Sequence, residues 1–345
     1  MNRYWTLSGG PLAGLPEPEN FTLNEGPIPS PGPGQALSRT IYVSLDPYQW
    51  YYKKRAVEPV GGACHARTVS QIVQSRMPGF APGDLVFNTN GWASHALMGE
   101  GIWRPTYMVP RKLDPQQGRI SLAVGVLGML GLTAYAGMVL LGEPKAGETV
   151  VVSAASGGVG QIAGQLARLR GARIVGIAGR AEKCRYVTEV LGFDACVSHQ
   201  SASLAQDLAA ACPNGVDVYF ENVGGAVFDA VLPLFNSSAR MTFCGTISHY
   251  TDGTESEGKG ALMRRGEAIF KQRGVTVRDL FVGDYVESHH DAFLAEIGPA
   301  VARGDVRYRE DVRHGLETIP AVFAEMMRGG NFGKTLVQVG KDPTQ

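Results

Sequence analysis

From about residue 149 onward, short apolar runs alternate with segments of helical periodicity. The apolar runs are TVVVSA, RIVGIA, ACVSH, DVYFEN and RMTFCG, and the helical patterns lie at 158–170, 181–191, 202–211 and 225–235. A further apolar run, VTVRDLFV at 275–282, follows a helical stretch around 261–272, and a surface helix is expected to start at His289-His290. Strands that alternate with helices are typical of a parallel, doubly wound sheet. We therefore predict an α/β domain here.

The first 118 residues or so have a different pattern. Proline and glycine separate short apolar runs, as in EGPIPSPGPGQ and FAPGDLVFN, which is typical of a small, barrel-like β domain. The tail, 308–340, has a strand, helix, strand pattern, and we expect it to return to this first domain. The predicted division is a β-rich domain of residues 1–120 and 305–345, and an α/β domain of residues 121–304.

The segment from Ser121 to Gly142 contains no charged residue and is long enough to span a bilayer. It also contains five glycines, it has no partner span elsewhere, and it leads straight into the α/β pattern. We interpret it as two buried helices that are broken near Gly128 to Gly131, and we expect no membrane association.

The composition of the chain argues against several classes of function. Lysine plus arginine and aspartate plus glutamate are both 32, so the formal net charge is zero, and a basic surface for nucleic acid is not expected. The five cysteines form no CxxC pair, which favours free thiols in a reducing cytosol and no structural zinc lobe. The first residues have no apolar run typical of a signal peptide, so we expect a cytoplasmic protein.

A glycine-rich turn follows the first predicted strand of the α/β domain. In SAASGGVG the spacing is Ala154-x-x-Gly157-x-x-Gly160, directly after a strand and at the start of a helix. Glycines at 157 and 158 let backbone N–H groups approach a pyrophosphate, and Gly160 lets the helix pack closely on the sheet. The pattern predicts a Rossmann fold with a dinucleotide cradle.

The end of the second strand carries basic residues where an NAD-binding domain would carry an acid. Gly179 occupies the expected acid position, and Arg180 and Lys183 follow it. A carboxylate there would repel a 2′-phosphate, whereas arginine and lysine pair with one. The alternative is two solvated cations, but cations are unfavourable in the first turn of a helix. We therefore predict NADPH rather than NADH.

These motifs together resemble a known family. The chain is similar to the zinc-independent branch of the medium-chain dehydrogenase/reductase superfamily, and within it to the leukotriene B4 12-hydroxydehydrogenase, prostaglandin reductase and alkenal double-bond reductase group, which includes bacterial curcumin reductase. The resemblance runs through nearly the whole chain, in SLDPY, LGMLGLTAY, VVVSAASGGVG, LGFDACVSH, FENVGG, CGTISHY, LFVGDY and NFGKTLVQVG. It implies a GroES-like, partly open barrel beside the Rossmann domain.

The resemblance also implies a reaction and a set of residues. NADPH would give a hydride to the β-carbon of an α,β-unsaturated aldehyde or ketone, and a proton would reach the α-carbon. The implied cofactor contacts are Ser156, Gly157, Gly158 and Val159 at the pyrophosphate, Lys183 and His199 at the 2′-phosphate, Asn222 at the nicotinamide ribose, the loop of Cys244, Gly245, Thr246, Ile247, Ser248 and Tyr250, and Phe281, Val282 and Asn331 near the nicotinamide.

Several positions depart from the family pattern. His199 stands where a tyrosine is common, so that phosphate contact is either lost or replaced, and Arg180 takes the place of a small residue. After DPY the chain continues QWYYKKR, and Trp50 to Tyr52 suggest either a flat, apolar substrate or ordinary core packing. These departures bear on the substrate more than on the chemistry.

Alternatives stay open for the catalytic residues and for the function. Tyr250 is the candidate hydrogen-bond donor to the carbonyl oxygen of the substrate, and the nicotinamide ribose hydroxyl is the alternative donor. Tyr250 could also be a loop tyrosine without a catalytic role, since SHYTDGTESEGKG is a polar, loop-like segment. Tyr48 either faces the substrate or packs a turn. A quinone reductase of the same superfamily and an NADPH-binding protein without turnover remain the alternative functions. Relatives pair through the last strand of the parallel sheet, so a homodimer is expected, with 275–282 as the candidate edge.

Overall fold

In the computed structural model, residues 1–250 and 255–345 are described, with side chains left out at 255–257. The chain divides into two compact units, the first made of Met1–Gly128 and Glu310–Gln345 and the second of Met129–Arg309. The predicted class, a doubly wound parallel sheet with a second, antiparallel-rich domain, is confirmed.

Unit 1 contains a two-stranded sheet, made of its first two strands, and a larger sheet of seven strands. Its N-terminal elements are β1 (Asn2–Leu7), β2 (Phe21–Gly26), β3 (Gln35–Ser44), α1 (Tyr48–Lys54), β4 (Thr68–Ser75), β5 (Leu85–Asn88), β6 (His95–Gly99) and β7 (Arg111–Lys112). The elements of unit 2 follow, and unit 1 then ends with β14 (Glu310–His314), α9 (Ile319–Met327) and β15 (Lys334–Gln338). The sheet has the order β14-β15-β3-β4-β5-β7, with β6 also paired to β3. The last strand of the chain therefore lies beside the third.

The long strand β3 explains how the ends of unit 1 are joined. It pairs antiparallel with β15, with Leu336 opposite Ser44, and its apolar side chains Ile41 and Tyr42 are buried with Val69 and Leu336. Burying such side chains is the main source of stabilisation, at about 25 cal/mol per Å² of apolar surface.

Helix α1 follows β3 and contains the aromatic residues Trp50, Tyr51 and Tyr52. Trp50 is fully buried and donates its indole N–H to the Gly14 carbonyl at 2.8 Å, so it is a core residue.

Unit 2 contains the parallel sheet. Its elements are α2 (Met129–Tyr135), β8 (Thr149–Ser153), α3 (Gly160–Arg168), β9 (Arg173–Ala178), α4 (Ala181–Arg185), β10 (Ala195–Ser198), α5 (Leu204–Ala211), β11 (Val216–Glu221), α6 (Gly225–Val231), β12 (Phe235–Phe243), α7 (Glu255–Arg273), β13 (Thr276–Asp279) and α8 (Gly283–Arg303). The strand order is β10-β9-β8-β11-β12-β13, all parallel. This is the 3-2-1-4-5-6 order of a Rossmann fold, whose ligands bind where the order reverses, between β8 and β11. At the far end β13 is an edge strand, as predicted for 275–282.

Two helices differ from the sequence prediction. The helix expected at 261–272 begins earlier, at Glu255, and the part of the predicted loop at 251–254 lies outside the described residues. The expectation that a helix starts at His289-His290 is wrong, because α8 begins at Gly283 and the two histidines lie inside it. The glycines and Pro299 of α8 have low intrinsic helix propensity, but the burial of Phe293 and Ile297 in the core stabilises the helix.

The uncharged segment 121–142 is buried and broken, as expected, but its first part is a 3₁₀ turn, Ile120–Val124, rather than an α-helix. The break comes before Met129. A Cβ on Gly128 would lie 2.1 Å from the Ala123 carbonyl oxygen, so only glycine lets the chain fold back here. Helix α2 then continues into a π-helical turn, Ala136–Gly142. In the described part of the chain, no helix has both the length and the apolar character needed to cross a membrane.

Candidate active site

The predicted cradle is a glycine-rich turn between β8 and α3. Ala154 adopts a left-handed conformation with φ of 50°, and its carbonyl accepts a hydrogen bond from Gly157 N–H at 2.9 Å. Ser156, Gly157, Gly158 and Val159 lie in this turn, and α3 begins at Gly160. A Cβ on Gly160 would lie 2.3 Å from the Ala154 carbonyl oxygen and 3.0 Å from the Ala155 Cα. The start of α3 thus lies directly against the turn, which presents backbone N–H groups and a helix N-terminus at the edge of the sheet.

The close approach at Gly160 gives the first prediction. In Gly160→Ala the new methyl group meets backbone atoms, which cannot rotate away, so the turn must shift. We expect a loss of about 1–3 kcal/mol in the free energy of unfolding, as for other overpacked sites. Urea unfolding followed by circular dichroism measures it.

Gly26→Ala is the matched control. Gly26 ends β2 with nothing within 4 Å of its Cβ position, and its φ is not positive, so alanine should not lower the free energy of unfolding. Equal unfolding midpoints for Gly160→Ala and the wild type would show that the turn is not tightly packed.

The basic corner lies at the end of β9. Lys183 is 8% exposed, whereas Arg180, just before α4, is exposed. His199 follows β10, and its backbone N–H donates to the Ala178 carbonyl at 2.8 Å. Its Nε2 atom lies 3.3 Å from the position of a Cβ on Gly179. The corner therefore brings together Gly179, Arg180, Lys183 and His199.

The electrostatics of this corner favour an anion. Burial, and secondly the positive charge of Lys183, lower the pKa of His199 below its ordinary value, so the imidazole is neutral near pH 7. A neutral imidazole can still donate one hydrogen bond to a phosphate oxygen. Lys183 and Arg180 supply the positive charge that a phosphate dianion requires. The alternative that both cations are solvated is wrong for Lys183, because this residue is buried.

The switch point between β8 and β11 is occupied by three polar residues. Asn222 donates its side-chain N–H to the Ser153 carbonyl at 2.7 Å, and its backbone N–H to the Ser153 hydroxyl at 2.8 Å. Glu221 is fully buried, and its carboxylate accepts from the Ser153 hydroxyl at 3.1 Å. These bonds fix Asn222 at the carboxyl ends of the two central strands, where the nicotinamide half of a dinucleotide lies in Rossmann domains.

Glu221 is a site residue that the sequence analysis missed. Its carboxylate also accepts from the backbone N–H groups of Val223 and Gly224 at 2.6 and 3.0 Å, and from the Tyr219 hydroxyl at 2.8 Å. Burial raises the pKa of Glu221, while the hydrogen bonds oppose that rise. The sequence does contain a signal for Glu221, because it places an acid at the end of a buried, apolar strand. A buried carboxylate must be satisfied by hydrogen bonds, so such an acid indicates a polar network.

The loop after β12 is anchored on the same point. The N–H groups of Cys244 and Gly245 both donate to the Glu221 carbonyl, at 2.9 and 3.1 Å. The N–H groups of Ile247 and Ser248 donate to the carbonyls of the two residues that follow Glu221. The predicted loop residues, which also include Thr246, therefore lie over the carboxyl end of β11.

Tyr250 ends this described part of the loop. Only 9% of its surface is exposed, and its hydroxyl lies 3.7 Å from the position of a Cβ on Gly245. The ring is therefore packed against the loop, and Tyr250 is not a solvated loop tyrosine. By contrast Phe281, beyond β13, is 52% exposed, and Val282 precedes the first turn of α8.

Two predicted site residues belong to unit 1. The Tyr48 hydroxyl, at the start of α1, lies 3.0 Å from Nε2 of His65, and the Tyr52 ring stacks on that imidazole at 5.8 Å. Burial lowers the pKa of His65 to about 3, so the imidazole stays neutral, and burial likewise raises the pKa of Tyr48. Asn331 donates its side-chain N–H to the Gly333 carbonyl at 3.0 Å. His65 is a second residue that the sequence analysis passed over.

A Rossmann domain with a glycine cradle, a basic corner and an anchored loop at its switch point defines a dinucleotide-dependent oxidoreductase. Family models agree: residues 3–104 match an N-terminal domain of oxidoreductase and residues 158–293 match a zinc-binding dehydrogenase. In residues 1–250 and 258–345, whose side chains are described, no group of three or more histidine, cysteine or acidic side chains is placed to hold a metal ion.

Full-length relatives identify the family. The chain is 42% identical to the NADPH-dependent curcumin reductase of Escherichia coli K12, over 99% of this chain and 98% of that one, and 34% identical to rat prostaglandin reductase 1, over 97% and 98%. The crystal structure of CurA from Vibrio vulnificus in complex with NADPH matches with a TM-score of 0.86 at 36% identity, covering 99% of this chain and 100% of that one. This chain belongs to the curcumin reductase and prostaglandin reductase family of the medium-chain dehydrogenases/reductases.

Proposed function

We propose that this protein uses NADPH to reduce the C=C bond of α,β-unsaturated aldehydes and ketones, without zinc. One observation carries the proposal: in a chain 42% identical to an NADPH-dependent curcumin reductase, the position where an NAD-binding domain holds an acid is Gly179, flanked by Arg180 and buried Lys183. The cofactor predicted from the sequence is the one on which that reductase depends, and it is also the one bound to CurA of Vibrio vulnificus.

The residues of unit 2 fit the cofactor. Gly157 and Gly158 carry no side chain, so the backbone N–H groups of the turn that contains Ser156 to Val159 can approach a pyrophosphate. Lys183, Arg180 and His199 would hold the 2′-phosphate, and Asn222 would contact the nicotinamide ribose. The loop from Cys244 to Ser248 would lie over the nicotinamide, and Phe281 and Val282 would cover its ring. Asn331 stays a predicted cofactor contact.

When bound, NADPH supplies the hydride, and the chain's own residues handle the charge that results. Adding hydride to the β-carbon of an enone leaves negative charge on the carbonyl oxygen. The Tyr250 hydroxyl donates a hydrogen bond to that oxygen, which lowers the barrier as an oxyanion hole does. Tyr48, which is hydrogen-bonded to the neutral His65, stays a predicted substrate contact. The α-carbon then takes its proton, for which no side chain is assigned.

Removing the Tyr250 hydroxyl tests its role. We expect Tyr250→Phe to lower kcat about three- to tenfold, the value of one neutral hydrogen bond, with little change in NADPH affinity. Tyr4→Phe, on β1, is the matched control and leaves kcat unchanged. Initial rates at saturating NADPH and a fluorescence titration of NADPH provide the two values. Unchanged kcat in Tyr250→Phe would remove this residue from the mechanism.

The proposed activity is tested by following the absorbance of the reduced nicotinamide. The acceptors are a short 2-alkenal, a phenyl-substituted enone, a quinone and a saturated aldehyde, each with NADPH and with NADH. We expect turnover with NADPH on the alkenal or the enone and none on the saturated aldehyde. Turnover confined to the quinone would replace the proposal by quinone reduction, and NADPH binding without turnover on any acceptor would replace it by a binding role.

A further inference from the structure

Two of the five free cysteines form a pair beside the basic corner. Cys184 lies in α4, one residue after Lys183, and Cys196 lies in β10, three residues before His199. Their thiols share a hydrogen bond, and both also lie against the backbone of Ala178, the last residue of β9. The pair therefore connects the two elements that carry Lys183 and His199.

The two thiols differ in reactivity. The hydrogen bond from Cys196 lowers the pKa of Cys184, and the same contact, with burial, raises the pKa of Cys196. Cys184 therefore loses its proton before Cys196, and the thiolate is the form that reacts with oxidants. Both residues are only partly buried, so a small oxidant can reach them.

Cys64 and Cys212 do not share these features. Both are buried, and burial raises the pKa of Cys212 to about 11. A thiolate with a second thiol in contact is the usual arrangement of a disulfide-forming site.

We propose that Cys184 and Cys196 are an oxidative modification site, at which a hydroperoxide joins the two sulfurs in a disulfide and weakens the binding of the 2′-phosphate at Lys183. The effect on binding rests on the proposed function, whereas the disulfide itself does not.

The chemistry balances with a hydroperoxide as the oxidant. The Cys184 thiolate attacks one peroxide oxygen, so that an S–O bond forms, the O–O bond breaks, and hydroxide leaves and takes up a proton. The Cys196 sulfur then attacks the Cys184 sulfur, so that an S–S bond forms, the S–O bond breaks, and water leaves with the Cys196 proton. Two thiols lose two electrons and hydrogen peroxide becomes two waters.

The expected consequence follows from geometry. Sulfur atoms in a disulfide are about 2.05 Å apart, closer than two hydrogen-bonded thiols, so we expect the bond to draw α4 toward β10. Lys183 is the neighbour of Cys184 in α4 and moves with it. Moving the Lys183 ammonium away from the 2′-phosphate weakens the Coulomb attraction between them, so the affinity for NADPH falls. The affinity for NADH does not fall, because NADH has no 2′-phosphate.

The experiment uses the full chain with hydrogen peroxide. We expect peptide mapping by mass spectrometry to find a 184–196 cross-link with the loss of two free thiols. The Kd for NADPH in a fluorescence titration should rise at least about threefold and recover with dithiothreitol, a shift that such a titration resolves. Cys184→Ser and Cys196→Ser should lose the response, and Cys212→Ser should keep it.

Other results would overturn the proposal. Oxidation of Cys184 without a cross-link would contradict the site, and a cross-link that leaves the Kd for NADPH unchanged would contradict its effect. Reduced protein that binds NADPH and NADH equally would contradict the assignment of the basic corner to the 2′-phosphate, and with it the proposed effect on binding. The mass spectrum tests the disulfide independently of cofactor binding.

Discussion

Lys183→Ala is expected to raise the Kd for NADPH by about 10- to 100-fold, because a hydrogen bond between an ammonium and a phosphate dianion contributes about 1.5–3 kcal/mol. The Kd for NADH should stay within about twofold, since NADH has no 2′-phosphate and the substitution leaves the cradle unchanged. Arg180→Ala should have a smaller effect, because Arg180 is exposed and its charge is screened by water. Fluorescence titrations with both cofactors measure this ratio.

The control separates the specific contact from a general loss of positive charge. Lys271 lies in α7 and is exposed, so Lys271→Ala removes one charge of the same kind from the same unit. We expect its Kd for NADPH to match that of the wild type. Equal losses of affinity for NADPH and NADH in Lys183→Ala would mean that the lysine supports the fold of the corner and does not hold the phosphate.

Asp46→Asn is expected to cost about 3–5 kcal/mol in the free energy of unfolding, because it leaves two buried cations without their counter-charge. Asp46 is 5% exposed, and its carboxylate lies 2.7 Å from the Arg67 guanidinium and 2.8 Å from the Lys334 ammonium. Lys334 also donates to the Leu45 carbonyl at 2.6 Å, which joins β15 to the end of β3. The urea midpoint at pH 7 provides the measurement.

The same carboxylate sets a pH dependence. Burial by itself would raise the pKa of Asp46, but the charges of Arg67 and Lys334 and the hydrogen bonds outweigh it, and the pKa lies well below its ordinary value. A lowered pKa in the folded state means stability that is present above the unfolded value of about 3.9 and is lost as the pH falls below it. Wild-type stability should therefore fall more steeply below about pH 4 than that of Asp46→Asn.

Glu25→Gln is the matched control for the buried carboxylate. Glu25 pairs with Arg3 at 3.4 Å, but both side chains are largely exposed, so its loss should cost no more than about 1 kcal/mol. An Asp46→Asn protein that unfolds within about 1 kcal/mol of the wild type would show that the buried cluster adds little to stability.

The parts of the site that are contiguous in the chain could be predicted from the sequence. The cradle requires glycines at fixed spacing between one strand and one helix, and the basic corner follows the next strand at a known interval. These features are local, because a βα unit fixes its own turn. The Rossmann class was predictable for the same reason, since the alternation of apolar strands and helices extends over the whole of unit 2.

Features that depend on distant residues could not be predicted. Asp46, Arg67 and Lys334 come together only when β15 pairs with β3, and nothing in the local sequence of any of them indicates the other two. His65 meets Tyr48 in the same way, through the packing of α1 in unit 1. The start of α8 was placed too late because the helix begins at Gly283, and glycine has a low intrinsic helix propensity.

The most direct test of the central claim is the position of the transferred hydride. Protein, an enone and NADPH deuterated at the transferring C4 position are incubated in ordinary water, and the product is examined by proton and deuterium NMR. We predict a saturated ketone with one deuterium on the former β-carbon and a solvent proton on the α-carbon. Deuterium on the former carbonyl carbon, in an alcohol with its C=C bond intact, would contradict the proposed double-bond reduction.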